Sequence, residues 1–306
     1  MLKQAANDYL KLRRELGFKL IDTGELLTSF TAFAAERGDQ VLRAQTVLDW
    51  AKNGSSVQRR HRRLRTLDLF AEHLCAEDPR HERIPMENFP PSTQPRRYPP
   101  RIFCADEISH VLSLTAHLHP IRSIRPLTYR TLIGLLFTTG MRIGEALNLR
   151  LADIHSDSLT IRETKFGKSR WLPLHQSTVD VLQFYLTQRN DWTCDNDRVF
   201  LSWSHRRPLS HDAALTTFQT LCAQAGLSGA GARRKPRLHD LRHSFATNAL
   251  RRCAADRDAV EQNMLALSTY LGHVSASSTY WYLEQTPELM RDIASACEQA
   301  QAGATP

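Results

Sequence analysis

The sequence has little that would suit a membrane or secreted protein. Its 306 residues contain no stretch near the roughly 18 consecutive apolar residues that span a bilayer. The first eight residues, MLKQAAND, lack the apolar core of a signal peptide. We therefore expect a cytoplasmic protein.

Cysteine is also sparse, and its spacing excludes two further classes. The six cysteines are dispersed, with no C-x-x-C pair and no histidine at ligand spacing from them. They are Cys75, Cys104, Cys194, Cys222, Cys253 and Cys297. We expect reduced thiols rather than a disulfide framework or a structural zinc site.

Positive charge is what the sequence has in excess. The formal net charge is +8. Residues 1–100 carry 17 Lys and Arg against 13 Asp and Glu, and residues 101–306 carry 23 against 19. Because both parts share the excess, the protein is not a neutral domain with a basic tail. A polyanion such as DNA is the expected partner.

The first domain, residues 1–87, is predicted to be helical. LKQAANDYLKLRRELGF has apolar residues near a 3.6-residue period and ends at Gly17. LLTSFTAFAAERG stops at Gly38, with Thr23 or Thr28 as a candidate cap. AQTVLDWAKNG and SVQRRHRRLRTLDLFAEHLCAE complete four helices, and no strand pattern interrupts them.

Five arginines crowd into seven positions of the fourth helix. They are Arg59, Arg60, Arg62, Arg63 and Arg65. Such close cations repel one another unless an anion lies nearby, and the guanidinium fork suits phosphate oxygens. We predict contact with a DNA backbone; the alternative is an ordinary solvated helix face.

A proline-rich connector follows at residues 88–102. The segment from 84 to 103 holds six of the 14 prolines, which forbids a helix and favours an extended linker. Arg96, Arg97 and Arg101 make it basic, as suits a strap along a nucleic acid.

The second domain, residues 103–306, is predicted to be helical with one small sheet. Helices are expected in ADEISHVLSLTA, TYRTLIGLLFTTG and RIGEALNL, and later near 176–189, 210–225, 239–252, 258–270, 276–283 and 287–300. Between them, residues 158–174 change to alternation around Leu159, Ile161 and Trp171, with Phe166 and Gly167 as a turn. The fold class is therefore mainly α, with an antiparallel hairpin in the second domain.

Two stretches place basic residues where they could meet an anion, one at a helix start and one at a hairpin tip. Arg142 follows a glycine at a helix start, where free backbone N–H groups also attract anions, and Glu145 lies three residues on. The hairpin tip carries Lys165, Lys168 and Arg170, from which an ammonium could reach a leaving oxygen. Each stretch also has an ordinary explanation. The alternative for Arg142 and Glu145 is a surface ion pair, and the alternative for the hairpin tip is a soluble turn.

Two later stretches add imidazoles and phenols. His239, Arg242 and His243 share a helix face in RLHDLRHSFAT. The two histidines have zinc-ligand spacing, but the neighbouring arginine and the missing H-E-x-x-H glutamate argue against a metal. His273 begins the turn before STYWYL, which offers two tyrosines, Tyr280 and Tyr282.

Together these residues form a cage of cations around a phenol. It lacks the paired carboxylates that magnesium requires, so we expect no metal cofactor. Two arginines, an ammonium and imidazoles suit the transition state of phosphodiester transfer, and they would also lower the effective pKa of an attacking tyrosine.

In the order and spacing of these motifs the second half resembles the tyrosine recombinases, the phage integrase family. The stretches are TTGMRIGEALNLRLADI, TKFGKSRWLPL, LHDLRHSFAT and LGHVSASSTYWY. The first domain is similar only in type to the family's helical, SAM-like core-binding domain. The resemblance implies site-specific DNA recombination through a 3′-phosphotyrosyl link and a Holliday junction, without metal or ATP.

The resemblance also assigns roles. It implies Arg142 as first catalytic arginine with Glu145 in support, Lys165 as general acid, His239 and Arg242 as the H-x-x-R pair, and His273 at the position filled by His or Trp. Lys168 and Arg170 are DNA-contact or structural positions. The nucleophile lies nine residues past the histidine of LGH, which makes it Tyr282; Tyr280, about 200° away on a helix, would pack with Trp281.

The resemblance further implies double-stranded DNA as the partner and a homotetramer assembled on two DNA sites. Away from DNA the protein would be a monomer or dimer. Accessory recombinases or DNA-bending proteins are further possible partners. The apolar spacing of the last helix, 287–300, predicts docking onto a neighbouring protomer or onto its own domain. The long segment between Arg242 and His273 favours a transposon-borne enzyme over a chromosomal resolvase. A type IB topoisomerase-like enzyme and a non-catalytic DNA-binding regulator are the alternatives.

Overall fold

The structure, a computed structural model, describes residues 1–85, 99–162, 169–192, 196–227, 235–251 and 257–272, with only the backbone at 257–262. The chain divides into two compact units, residues 1–98 and 99–306. The division falls within the proline-rich segment. Lys165, Lys168, His273, Tyr280, Trp281, Tyr282, Arg96 and Arg97 lie outside the described residues, as do the helices expected at 276–283 and 287–300.

The first unit is a bundle of four helices. They are α1 (Leu2–Glu15), α2 (Ile21–Glu36), α3 (Ala44–Lys52) and α4 (Val57–Glu77). Phe30, Trp50, Leu67 and Phe70 meet in its core, where the rings of Phe30 and Trp50 pack edge to face at 5.5 Å. The helical prediction for this unit is therefore confirmed.

The start of α2 differs from the expectation. The helix begins at Ile21, after Leu20 in a left-handed conformation with φ 43°, and no side chain caps it. Thr23 and Thr28 lie inside the helix, so the prediction that either caps it is wrong. Leu20 itself packs on the core of the unit.

The second unit surrounds a larger core. Its helices in the described residues are α5 (Ala105–Leu114), α6 (Arg125–Thr139), α7 (Ile143–Asn148), α8 (Gln176–Asn190), α9 (His211–Gln224), α10 (Leu238–Arg251) and α11 (Arg257–Leu271). Helix α6 is apolar on most sides because it is packed by α5, α8 and α10. It therefore forms the centre of the domain.

A two-stranded antiparallel sheet joins this core. Strand β1 (Ser158–Ile161) pairs with β2 (Arg170–Pro173), with Leu159 opposite Leu172 and Thr160 opposite Trp171. Opposite residues share a face of a sheet, so Leu159 and Leu172 are buried together. Trp171 lies on the other face and is 68% exposed, so the predicted sheet is confirmed but Trp171 does not belong to its apolar side.

Candidate active site

The site begins where α6 ends. Gly140 closes the helix with φ 61°, and a Cβ atom there would lie 2.4 Å from Cδ1 of Phe245 on α10. Only glycine meets both the left-handed conformation and the close approach. The turn it makes sends the chain through buried Met141 to Arg142, which precedes α7.

Arg142 and Glu145 are bound to each other in two ways. The backbone N–H of Arg142 donates to Oε2 of Glu145 at 2.9 Å, and its Nη1 donates to Oε1 at 2.8 Å. Glu145 thereby caps α7 and also fixes the guanidinium of the residue at the helix start. Nη2 of Arg142 donates to the carbonyl of Gly272 at 3.3 Å, which brings the end of α11 to this point.

Arg170, the first residue of β2, binds the same carboxylate. Its Nη1 and Nη2 donate to Oε1 and Oε2 of Glu145 at 2.9 and 2.8 Å, a parallel two-bond pair. The side chain of Arg170 is 12% exposed and that of Glu145 9%. Burial alone would raise the pKa of Glu145, but Arg170 and Arg142 outweigh it and lower that pKa to about 2.

Arg242 on α10 is the most deeply buried charge of the described site, at 1% exposure. Its Nη1 donates to the carbonyl of Gly140 and its Nη2 to the carbonyl of Leu271, each at 2.7 Å. Both carbonyls stand at C-terminal helix ends, which carry partial negative charge. Arg242 thus ties α6 and α11 to α10, immediately beside the chain that carries Arg142.

His239 lies one turn before Arg242 and is solvent-exposed on one side. Its ring packs edge to face on that of His243 at 4.5 Å. The protein around the ring, and then the positive charges of Arg242, Arg237 and Arg142, lower the pKa of His239 to about 4, against a smaller opposing effect of Asp240. Burial and the neighbouring arginines thus both favour the neutral imidazole.

Tyr270, the last aromatic residue of α11, borders this arrangement. Its ring stacks on Phe245 at 5.5 Å, and the residue is half-buried. Burial raises the pKa of Tyr270 to about 12, against a smaller lowering effect of Arg170. Its phenol stays protonated at any physiological pH.

The structure thus brings Arg142, Glu145, Arg170, His239 and Arg242 together from three elements, the start of α7, β2 and α10. Among them, Arg170 is the residue whose place the sequence indicated least. The resemblance implies a DNA-contact or structural position for it, and in the structure its side chain is 12% exposed and bound to Glu145. A possible sequence signal for this contact is Glu145, an acidic residue close to several arginines. The two partners are 25 positions apart, however, so no local pattern encodes their pairing.

The arginines of α4 divide into two groups. Nε of Arg60 donates to the carbonyl of Gly54 at 2.9 Å, and Nη1 of Arg63 donates to that of Trp50, also at 2.9 Å, with its guanidinium 4.5 Å from the Trp50 ring centre. Exposed Arg59, Arg62 and Arg65 follow at intervals of three and form an outer row. Arg62 pairs with Asp22, and Arg65 has no hydrogen bond or ion pair within the described residues.

Arg101, expected on the basic strap, is bound within the second unit instead. Its Nη2 donates to Glu107 at 2.7 Å and its Nη1 to the carbonyl of Leu227 at 3.0 Å. The described residues bring no three His, Cys, Asp or Glu side chains together as a metal site. None of their helices has the length and apolar character that crossing a bilayer takes.

Known proteins share this arrangement of sequence and fold. The family model "Phage integrase family" matches residues 105–288. A putative integrase/recombinase of Sinorhizobium fredii is 40% identical over 301 residues, covering 95% of both chains. The tyrosine recombinase XerD of Halalkalibacterium halodurans is 30% identical over 199 residues, covering 63% of this chain and 60% of that one.

Two solved structures share the fold at low sequence identity. The XerH site-specific recombinase bound to palindromic difH substrate, a post-cleavage complex, has a TM-score of 0.63 and 21% identity, with 91% of this chain and 80% of that one covered. A lambda integrase tetramer bound to a Holliday junction has a TM-score of 0.58 and 19% identity, with 91% and 76% covered. From the family match and the nearly full-length relative we conclude that the chain belongs to the phage integrase family and is a tyrosine-type site-specific DNA recombinase.

Proposed function

We propose that this recombinase exchanges DNA strands through a covalent 3′-phosphotyrosyl intermediate, with Tyr282 as nucleophile. The observation that carries the proposal is the convergence of Arg142, Arg242 and a neutral His239 on one site, with Glu145 holding Arg142 in place. Fixed guanidinium groups can stabilise the charge that develops on the non-bridging oxygens of a phosphodiester.

Cleavage in this proposal is an attack of Tyr282 on the scissile phosphate, accompanied by two proton transfers. The phenolic oxygen of Tyr282 forms a bond to the scissile phosphorus and gives its proton to His239, whose neutral ring can accept it. The bond from phosphorus to the 5′ oxygen breaks, and the ammonium of Lys165 supplies the proton to that oxygen. A 5′ hydroxyl of the partner duplex then attacks the phosphotyrosine and gives its proton to Lys165. The bond from phosphorus to the oxygen of Tyr282 breaks, His239 returns the proton to the phenol, and the phosphodiester is restored.

This chemistry assigns no role to a metal ion or nucleotide. Glu145, the acidic residue at the centre of the arrangement, has each carboxylate oxygen bound to both Arg142 and Arg170. Its oxygens are therefore bound to arginine and are not available to a metal ion. The arginines supply the charge stabilisation that a magnesium ion supplies in other phosphoryl-transfer enzymes.

Two rounds of strand exchange on two sites require four active centres, so we propose a homotetramer on paired DNA duplexes. The tetrameric lambda integrase on a Holliday junction, whose fold this chain shares, supports that assembly. The exposed row of Arg59, Arg62 and Arg65 on α4 would contact the DNA backbone from the first domain.

A nicked suicide duplex carrying the sequence that flanks the gene tests the chemistry. The nick lets the cleaved end diffuse away, so the covalent complex should accumulate and resist boiling in detergent. We expect no complex from Tyr282→Phe, with DNA binding retained, and a complex from Tyr280→Phe. Loss only in Tyr280→Phe would reassign the nucleophile.

Two further outcomes separate the alternatives. Relaxation of a supercoiled plasmid that lacks the flanking sequence would indicate a topoisomerase-like activity. A wild-type chain that binds the duplex specifically but never becomes attached to it would instead identify a DNA-binding regulator.

A further inference from the structure

We propose that Arg170 is a positioning residue of the active site, which holds Arg142 through Glu145 and does not itself contact DNA. The inference rests on the proposed function for its reaction. It concerns a residue whose motif alone suggested either DNA contact or structure.

The hydrogen bonds on Glu145 are the first reason. Each carboxylate oxygen accepts one bond from Arg142 and one from Arg170, at distances of 2.8 to 2.9 Å. Four charge-assisted or backbone bonds on a carboxylate that is 9% exposed leave it little freedom. The guanidinium of Arg142 is 34% exposed and would have many rotamers without this anchor.

The surroundings of Arg170 are the second reason. Both of its terminal nitrogens face Glu145, and its Nε is buried without a hydrogen-bond partner among the described residues. Only two of the five guanidinium N–H groups are bound to Glu145, but the side chain is 12% exposed, so burial leaves a phosphate little access to the others. A lysine could not replace it, because one ammonium cannot bind both carboxylate oxygens in parallel.

The elements that meet at Arg170 are the third reason. Arg170 is the first residue of β2, Arg142 and Glu145 belong to the start of α7, and Gly272 follows α11. A Cβ atom on Gly272 would lie 3.0 Å from Nη1 of Arg170, while the carbonyl of Gly272 accepts from Arg142. The same ion cluster therefore fixes the hairpin strand, the arginine and the backbone that leads to His273.

A double-mutant cycle on the nicked duplex tests this assignment. Misplacing a catalytic group by about 1 Å can cost about 100-fold in rate, so we expect a loss of that order in single-turnover cleavage for Arg170→Gln and for Glu145→Gln. Because both act through the same contact, the double variant should be within about threefold of the slower single variant. Losses that multiply to about 10,000-fold would overturn the proposal.

DNA affinity provides the readout that distinguishes positioning from DNA contact. We expect Arg170→Gln to bind the duplex within about twofold of wild type and to keep the same salt dependence. A fall of about one in the slope of log affinity against log salt concentration would mean that Arg170 contacts a phosphate, and would overturn the proposal. Arg150→Gln, which breaks the exposed ion pair with Asp197, is the matched control and should cleave at the wild-type rate.

Arg170→Lys serves if Arg170→Gln does not fold. It keeps the charge but loses one of the two parallel bonds, so we expect cleavage about tenfold slower than wild type, and the wild-type rate would contradict the proposal. A wild-type chain that forms no covalent complex would count against the proposed function. Equal cleavage by wild type and Arg170→Gln would overturn the positioning role of Arg170 and leave the proposed function intact.

Discussion

At the scale of single residues, Glu145 links the stability of the second domain to pH. Its pKa is about 2 in the folded chain against an ordinary value of 4.5. The folded state therefore favours the ionised form, and its contribution of about 3 kcal/mol is complete above pH 4.5 and disappears as the pH falls through about 2. The carboxylate of Glu145 is only 9% exposed, so solvent screens its contacts with the arginines little.

We expect thermal unfolding of wild type and Glu145→Gln to show this window. At pH 7 the wild-type chain should be the more stable one, and the difference should shrink between pH 4.5 and pH 2. Glu25→Gln, at an exposed position of α2, is the control and should run parallel to wild type. A difference between wild type and Glu145→Gln that stays constant down to pH 2 would contradict the assigned ion cluster.

Gly140 and Gly134 give a matched pair at the scale of one element, α6. Gly140 has φ 61°, and an added Cβ would lie 2.4 Å from Phe245, whereas at Gly134 an added Cβ meets nothing within 4 Å. We expect Gly140→Ala to lose about 2 kcal/mol or more of unfolding free energy, and Gly134→Ala to gain about 0.5 to 1 kcal/mol from helix propensity.

Urea unfolding followed by circular dichroism would measure both values. Cleavage should fall in Gly140→Ala as well, because the carbonyl of this residue holds Arg242. A Gly140→Ala protein with wild-type stability and cleavage would show that the turn tolerates a side chain and that α10 can move away.

The outer row of α4 makes a second prediction at this scale. Replacing Arg59, Arg62 and Arg65 by glutamine removes three exposed cations, so we expect weaker binding to every duplex and a salt slope lower by about 2 to 3. Filter binding or fluorescence anisotropy between about 50 and 200 mM salt would measure it. Glutamine at exposed Lys3, Lys11 and Lys52 removes the same charge and should leave the slope unchanged.

At the scale of the whole molecule, each unit has an apolar core of its own, and no residue that the structure describes belongs to both cores. We therefore expect residues 1–98 and residues 99–306, expressed apart, each to unfold in a cooperative transition. Calorimetry of each fragment is the measurement. A fragment without a cooperative transition would show that its core depends on the other unit.

Local patterns predicted most of this architecture. The 3.6-residue period of LHDLRHSFATNAL placed a helix at 239–252, and α10 runs from Leu238 to Arg251. The alternation around Leu159 and Ile161 located the sheet. Both the helix and the sheet were predictable because apolar side chains must be buried. In each element the buried positions recur along the sequence with the period of that element.

Contacts between distant segments could not be predicted in this way. Arg242 is charged, which suggests a surface position, yet it is buried because the carbonyls of Gly140 and Leu271, 102 and 29 positions away, accept its hydrogen bonds. The bond from Arg170 to Glu145 and the exposed side of Trp171 have the same origin. Each depends on how elements pack, and the sequence near the residue does not encode it.

Tyr270 has a consequence for the accuracy of DNA breakage. Its phenol lies close enough to Arg170 to feel that charge, yet burial keeps the pKa at about 12. Its ring is stacked on that of Phe245, and this contact restricts its rotation. A buried phenol that keeps its proton is a poor nucleophile, so we expect Tyr270 not to compete with the proposed nucleophile, Tyr282. Peptide mapping of the DNA adduct should therefore find a single attachment point, and none at Tyr270.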